Sequence, residues 1–136
     1  MRFSPHPKTY TAPKEKSFLK KVRTDDVGKL RKKLDDVFSR YIRKKYPKCF
    51  TCPTGRNEHN GHFMRRKNDA TRWDEDNCRS QCWNCNYPLD GNVDVFRKNL
   101  IAEIGEYRVA EVERKARLIE KFDANDLQEM INKYSA

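Results

Sequence analysis

Four cysteines occur as two tight pairs, with 29 residues between the pairs: Cys49-x2-Cys52 and Cys82-x2-Cys85. One turn carrying such a pair can offer two sulfur atoms to one ion, and two pairs complete the tetrahedral ligand set of a structural zinc site. The alternative is two unrelated pairs of reduced thiols. The fifth cysteine, Cys78, breaks the paired pattern and is interpreted as a small buried side chain. The sequence therefore predicts one zinc ion held by the four paired cysteines.

Three further residues in this region have side chains suited to cutting a phosphodiester. His62 precedes Asn77 by 15 residues, and Asn86 follows 9 residues later, directly after Cys85. A histidine can act as general base, because its ordinary pKa lies near working pH. Asn86 can give a neutral oxygen ligand to catalytic Mg²⁺ or Mn²⁺, and Asn77 can hold a loop or orient the base. Each residue could instead be structural: an ordinary histidine, a turn residue or a helix cap.

Positive charge is concentrated in the first third of the chain. The formal net charge is +10, and residues 1–48 alone carry 16 basic and five acidic side chains. Such a field favours a polyanionic partner, and DNA is the one that fits a phosphodiester-cutting site. The alternative is a basic tail that only keeps the chain in solution.

Eight basic side chains are candidate DNA phosphate contacts, and each could equally be a solvated surface charge. They are Lys32, Lys33, Arg43, Lys44, Arg65, Arg66, Lys67 and Arg72. The aromatic residues Trp73, Trp83 and Tyr87 could stack on unpaired bases. Packing around the zinc turns is the favoured interpretation of these three rings, because large aromatics usually fill small cores.

The predicted fold class is α+β and mostly helical, with a zinc-stabilised core flanked by a basic N-terminal helix and by C-terminal helices. The chain of 136 residues suffices for one compact domain, and its hydrophobic fraction of 36% makes a structural metal useful. Four segments are predicted: a flexible basic arm over residues 1–23, a basic amphipathic helix over 24–47, the zinc-stapled core over 48–91, and a helical region over 92–136. Within the core, strands are expected at residues 59–66 and 70–74, with a helix after Cys82.

The order of these residues resembles a known class of nuclease. A Cys-x2-Cys pair, then His, then Asn, then Cys-x2-Cys-Asn is similar to a zinc-stapled HNH nuclease of the ββα-metal fold. The resemblance implies a hairpin that carries the base and a helix that carries the last metal ligand. In that class an aspartate often precedes the base as a second ligand, whereas this chain has Gly61. The second ligand is left open among His59, Glu58 and the acidic residues of 69–76.

A closer resemblance is to the phage NinG (Rap) recombination proteins. It is carried by "KLRKKLDDVFSRYIRKKY", "GHFMRRKNDATRWDEDNCRSQCWNCN" and "GNVDVFRKNLIAEIG", and it covers about residues 24–110. The resemblance implies a structure-selective endonuclease that cuts branched recombination intermediates such as Holliday junctions and D-loops. Members of that family also often have glycine at the position before the histidine.

Three functions therefore stand as alternatives. The first is a metal-dependent endonuclease of phage recombination, acting as a possible homodimer on branched or double-stranded DNA. The second is a non-catalytic zinc-knuckle module that binds DNA, and the third is a sequence-specific HNH nuclease. No apolar run approaches the length of a membrane span, so no membrane partner is expected. The expected location is cytoplasmic, in the bacterial host cell if the protein is phage-encoded.

Overall fold

Six α-helices and one two-stranded antiparallel sheet form the computed structural model, which describes residues 11–136 and their side chains from residue 26 onward. The helices are α1 (Thr11–Lys45), α2 (Asp69–Arg72), α3 (Trp83–Asn86), α4 (Val93–Ile104), α5 (Glu106–Lys115) and α6 (Ala124–Ser135). The strands are β1 (His59–His62) and β2 (Cys78–Gln81), and a 3₁₀ turn spans Glu75–Asn77. The prediction of a mostly helical chain with a small sheet is confirmed.

The first helix is longer than predicted. It begins at Thr11 and not at Thr24, so the predicted flexible arm is wrong for residues 11–23, and residues 1–10 lie outside the described residues. Pro13 falls within the first turn, where a missing backbone N–H costs no hydrogen bond, and the Lys, Glu and Leu residues that follow favour a helix. The helix ends at Lys45, before Pro47, as expected.

The last helix packs against α1. The α1 side chains Leu34, Phe38 and Ile42 are fully buried, and they form one apolar cluster with Leu127 and Tyr134 of α6. The rings of Phe38 and Tyr134 meet edge to face at 4.8 Å between centroids. The apolar side chains of α6 therefore belong to the protein core. The buried face of α1 packs against them.

The hairpin lies partly outside its predicted range. His59 of β1 pairs with Gln81 of β2, and His62 pairs with Cys78, so the second strand is not at residues 70–74. Those residues instead form α2 and the turn after it, where Ala70, Thr71 and Trp73 are buried. The first strand stops at His62, four residues earlier than predicted, because the chain then enters a loop pinned by Asn77. The predicted short helix after Cys82 is confirmed as α3.

The C-terminal helices support the hairpin from the other side. Phe63, directly after β1, is buried in a second apolar cluster with Phe96 and Leu100 of α4 and Val109 and Val112 of α5. Gly105 ends α4 with a positive φ of 92°, and Asp123 begins α6 through a reciprocal capping box with Asp126. Among the described residues, no helix combines the length and the apolar character needed to cross a bilayer.

Candidate metal centre and active site

The four paired cysteines converge on one point. The Sγ atoms of Cys49, Cys52, Cys82 and Cys85 all lie within 4.8 Å of one another. The Sγ atoms of Cys52 and Cys82 are 3.6 Å apart, close to the roughly 3.8 Å edge of a tetrahedron built on zinc–sulfur bonds of about 2.3 Å. The donor set and its spacing fit a structural zinc ion, and the four cysteines could hold a metal as predicted.

Two backbone turns bring these sulfur atoms together. In the first turn the N–H of Cys49 donates to the carbonyl of Gly55 at 3.1 Å. A Cβ atom on Gly55 would lie 2.6 Å from Sγ of Cys52, so this position has room only for glycine. In the second turn the N–H of Cys85 donates to Sγ of Cys82 at 3.4 Å, which makes Cys82 the cap of α3. Cys82 therefore belongs both to the sulfur cluster that could hold a metal and to the start of α3.

The thiols are arranged so that a cation would stabilise their ionised forms. Burial raises the pKa of Cys85 to about 12, and the neighbouring thiols of Cys82, Cys52 and Cys49 act in the same direction. Burial also acts to raise the pKa of Cys49, but hydrogen bonds from Thr51 and from backbone amides lower it to about 6. Four thiolates this close repel one another, and a divalent cation removes that repulsion.

His62 ends β1 with its ring held in one tautomer. Its Nε2 lies 2.9 Å from the backbone carbonyl of Arg72. Because a carbonyl only accepts hydrogen bonds, Nε2 carries the proton and Nδ1 is left with the lone pair. Burial lowers the pKa of His62 to about 4, against the opposing effect of the Arg72 carbonyl. The imidazole is therefore neutral at neutral pH, with its lone pair on Nδ1, but its pKa does not lie near working pH as the sequence suggested, so it is a weaker base than an ordinary histidine.

Asn77 holds the loop between the strands and does not contact His62 by a hydrogen bond. Its side chain is fully buried. Its Oδ1 accepts from the N–H of Met64 at 2.7 Å, and its Nδ2 donates to the carbonyls of Met64 and Thr71. The orienting partner of His62 is instead the carbonyl of Arg72, one residue after Thr71. Of the two predicted roles for Asn77, the geometry gives the loop-holding role.

Asn86 and His62 line the same open pocket, although 24 residues separate them. Asn86 is the last residue of α3, one position after the cysteine Cys85. The pocket walls come from α1, β1, the loop after β1, α3 and the turn that follows α3. The hairpin and the short helix thus bring the imidazole and the amide predicted from the sequence to one surface.

The glycine before the candidate base is explained by its neighbour across the sheet. A side chain at position 61 would overlap the side-chain amide of Gln81. That amide is fully buried, and its Nε2 donates to Oγ1 of Thr51 and to the carbonyl of Gly91, which ties the sheet to the first zinc turn and to the residues before α4. The space beside position 61 is therefore filled by a glutamine that braces the fold, and a side chain larger than that of glycine does not fit there.

The acidic residues proposed as second ligands are engaged elsewhere. Asp69 pairs with Arg31, Asp74 with Lys115, and Asp76 with Arg108. Glu75 accepts hydrogen bonds from Tyr41, Lys45 and Tyr134, and Glu58 accepts from the N–H of Trp83 at the start of α3. His59 does line the pocket, so it is the one member of the predicted set that shares the pocket with His62 and Asn86.

Sequence reasoning missed the pocket residues contributed from a distance. Asp35, Asp36 and Ser39 of α1 and Asp90 from the turn after α3 also line it. Asp35 is the most connected of them, because it accepts hydrogen bonds from Arg66, Arg72 and the indole N–H of Trp73. Burial acts to raise the pKa of Asp35, but the hydrogen bonds from Arg72 and Arg66 hold it below its usual value. These hydrogen bonds join residues that are 31 or more positions apart, so no local spacing in the sequence indicates them.

The eight candidate DNA contacts differ in their exposure and in the groups that they contact. Arg72 is only 13% exposed and pairs closely with Asp35, which gives its side chain a structural role that competes with DNA binding. Arg65 and Arg66 are exposed and pair with Asp90 and Asp35, each at 3.1 Å. Lys32, Lys33, Lys44 and Lys67 are exposed, and Arg43 is half-buried, with its Nε donating to Ser39. Exposed ion pairs contribute about 0–1 kcal/mol, so Arg65 and Arg66 could exchange their carboxylates for phosphates at little cost.

Fold and site together define the class of this protein: a mostly helical chain built on a two-stranded hairpin beside a four-cysteine centre that could hold a metal. The chain belongs to the NinG family, since the family model described as bacteriophage lambda NinG protein matches residues 7–136. Searches of the curated proteins and of the solved structures found no match. The family match covers nearly the whole chain and includes the C-terminal helices, beyond the range over which the motifs alone resemble NinG.

Proposed function

We propose that this protein is a metal-dependent HNH endonuclease that cuts branched DNA recombination intermediates such as Holliday junctions and D-loops. The observation that carries the proposal is the shared pocket of His62 and Asn86, in which the ring of His62 is neutral and fixed by the carbonyl of Arg72. Membership of the phage NinG family supports this proposal. The substrate would then be DNA in the cytoplasm of the bacterial host.

In the proposed reaction His62 is the general base. Its Nδ1 takes a proton from a water molecule as that water attacks the phosphorus atom, and Nε2 stays bonded to the carbonyl of Arg72. The hydrogen bond keeps the ring orientation constant while charge develops on it. General-base catalysis of this kind contributes about 10²- to 10⁴-fold in rate.

Oxygen donors around the pocket suit a hard divalent cation. Asn86 offers an amide oxygen, and Asp90 and Asp36 offer carboxylates in the same pocket, which are ligand types that Mg²⁺ and Mn²⁺ prefer. When bound, Mg²⁺ or Mn²⁺ would neutralise charge on the scissile phosphate and on the leaving oxygen. Asn86 is the proposed protein ligand, and substrate phosphate would complete the shell.

Basic side chains around the pocket would hold the flanking DNA. Lys32, Asp36 and Arg40 follow each other at four-residue spacing on α1, so Lys32 and Arg40 share a face with the pocket residue Asp36. Arg43 contacts Ser39, another pocket residue, and Arg65 and Arg66 line the pocket themselves. Phosphates on either side of the cleaved bond would meet this basic border. Symmetric cutting of a four-way junction would employ two copies of the chain.

The test is a cleavage assay on four end-labelled substrates of the same sequence: a linear duplex, a flap, a D-loop and a four-way junction. With Mg²⁺ or Mn²⁺ the proposal expects cuts near the branch point and little cutting of the linear duplex. Omission of the divalent cation should abolish cutting. Cleavage of one linear sequence, with indifference to branches, would instead indicate the sequence-specific type of HNH nuclease.

A non-catalytic DNA-binding module is the second candidate, and one observation favours it. Position 61 has no room for the usual carboxylate ligand. Among the described side chains, the four cysteines are the one group in which three or more His, Cys, Asp or Glu residues could bind the same ion. Tight binding of a junction with no cleavage under any divalent cation would establish this candidate and reject the nuclease.

The pKa of His62 predicts an unusual pH profile. Because burial lowers this pKa to about 4, the ring stays neutral from pH 9 down to about pH 5 and becomes protonated, and therefore inactive as a base, only below that. The imidazole signals of His62 in an NMR titration should therefore not change between pH 8 and pH 5.5. The cleavage rate should not fall by half near pH 6.5, as it would for an exposed histidine. A His62 titration midpoint near 6.5 would contradict the geometry of the site.

A further inference from the structure

Two large aromatic side chains lie exposed at the edge of the pocket. Trp83 is 54% exposed and Tyr87 is 64% exposed, whereas Trp73 is buried in the core. The interpretation of all three rings as packing around the zinc turns is therefore wrong: Trp83 and Tyr87 are exposed, and Trp73 is buried in the cluster between α1 and α6. Other large apolar side chains of this chain are also exposed, but these two rings lie side by side next to a candidate active site and could form a contact surface for a ligand.

The two rings form one continuous aromatic surface. They stand four residues apart on α3 and the residue that follows it, with centroids separated by 6.3 Å and planes inclined by 32°. Tyr87 also meets the ring of His59 edge to face at 5.7 Å. Tyr87 and His59 both line the pocket that contains His62 and Asn86. The aromatic surface therefore continues directly from the pocket.

The zinc turn fixes the position of this surface. Trp83 lies between the cysteines Cys82 and Cys85, and its backbone N–H donates to Oε1 of Glu58 at 2.8 Å. The N–H of Tyr87 donates to the carbonyl of Trp83 at 2.9 Å, which extends the helical turn. A surface held this way is ordered before any ligand arrives, so binding to it pays little conformational entropy.

Charge and shape together identify the ligand. The border of the pocket carries Arg65 and Arg66, which pair with the pocket residues Asp90 and Asp35. In a chain of net charge +10, the phosphates of a polyanion could replace those carboxylates on the two arginines. A flat aromatic surface beside a phosphate-binding pocket matches a nucleobase, which stacks on Trp and Tyr through its π face. Bases inside a continuous duplex are already stacked on both faces, so only an unpaired or splayed base can reach these rings.

We propose that Trp83 and Tyr87 stack on an unpaired nucleobase next to the phosphate seated in the pocket, and that this contact selects branched over linear DNA. The inference rests on the proposed function for the location of the phosphate, and it adds the feature of the substrate that the protein reads. Stacking on aromatic side chains is sequence-tolerant, because every base has a π face. The selection is therefore for strand separation and not for sequence.

The experiment measures stacking directly, with the zinc-loaded full chain and without added Mg²⁺. The probe is a DNA flap with one 2-aminopurine at the unpaired position beside the branch, compared with a linear duplex in which the same base is paired. Binding of the wild-type protein should quench the unpaired probe. In the Trp83→Ala/Tyr87→Ala variant the quenching should vanish, and affinity for the flap should fall about 10-fold or more, while affinity for the linear duplex changes little.

Matched variants separate stacking from general damage. Tyr107→Ala removes a ring that is 78% exposed on α5, outside the pocket, and should leave quenching and affinity as in the wild type. Trp83→Phe/Tyr87→Phe keeps two π faces and should retain most of the preference for the flap. Unchanged probe fluorescence on a flap bound by the wild type would overturn the inference, as would an unaltered flap preference in the double alanine variant.

Failure of this inference and failure of the nuclease proposal are distinguishable. If the double alanine variant still cuts branched DNA with the wild-type preference, the stacking role is wrong and the nuclease remains. If the wild type quenches the probe but never cuts, the stacking surface stands and the protein is a binding module. Absence of any DNA binding by the wild type would reject both.

Discussion

Replacement of His62 by alanine should lower the rate of branched-DNA cleavage by about 10²-fold or more, with zinc content and DNA affinity unchanged. The residue is proposed to supply the only general base, and its Nδ1 is free because Nε2 is bonded to the carbonyl of Arg72. Loss of a group that acts only in the transition state lowers the rate without weakening substrate binding. The measurement is single-turnover cleavage of a labelled junction at saturating protein and Mg²⁺.

The matched control is His62→Gln. A glutamine amide can still donate a hydrogen bond to the carbonyl of Arg72, but it cannot take a proton from water. Cleavage by this variant should be as slow as by His62→Ala. Recovery of cleavage with glutamine would mean that His62 only braces the loop, and equal rates in wild type and His62→Ala would remove it from the reaction.

Removal of zinc should unfold the hairpin region and abolish both DNA binding and cleavage. Structural zinc sites contribute on the order of 10–16 kcal/mol of apparent binding free energy, as much as the whole folding free energy of a typical domain of about 5–15 kcal/mol. Here the four sulfur atoms lie at the junction of the first turn, β2 and α3, and the small sheet has two strands of four residues each. Chelation of the metal, or Cys85→Ala, should therefore abolish the cooperative thermal unfolding transition of the protein, as followed by near-UV circular dichroism of its buried aromatic side chains.

The fifth cysteine offers the control for that experiment. Cys78 is fully buried on β2 but lies outside the sulfur cluster. Cys78→Ala should keep one zinc per chain in elemental analysis and lose only a modest amount of stability, as expected for a small core truncation. A chelated protein that unfolds at the same temperature as the zinc-loaded one would contradict a structural metal.

The parts of the site that follow from local spacing could be predicted from the sequence. A Cys-x2-Cys pair is a property of one turn, so the convergence of Cys49, Cys52, Cys82 and Cys85 followed from spacing alone. Asn86 directly follows Cys85 of this centre, so its position beside the cysteine cluster could also be predicted. The short helix after Cys82 was also correct.

The parts that depend on distant contacts could not be predicted. A strand was predicted to include residues 70–74, but Asp69–Arg72 form a helix and Trp73 packs with side chains of α1 and α6. No sequence pattern near Asp35 of α1 indicates that its carboxylate accepts hydrogen bonds from Arg66, Arg72 and Trp73. The start of α1 was predicted at residue 24, which is too late, because the helix extends back to Thr11.

The most direct test of the central claim is a double-mutant cycle on His62 and Asn86. Single-turnover cleavage of a labelled four-way junction would be compared for the wild type, His62→Ala, Asn86→Ala and the double variant. Because both side chains are proposed to act on one phosphate through one event, the double variant should be no slower than the slower single variant. If the two losses multiply, or if Asn86→Ala cuts at the wild-type rate, the two residues do not share a catalytic site.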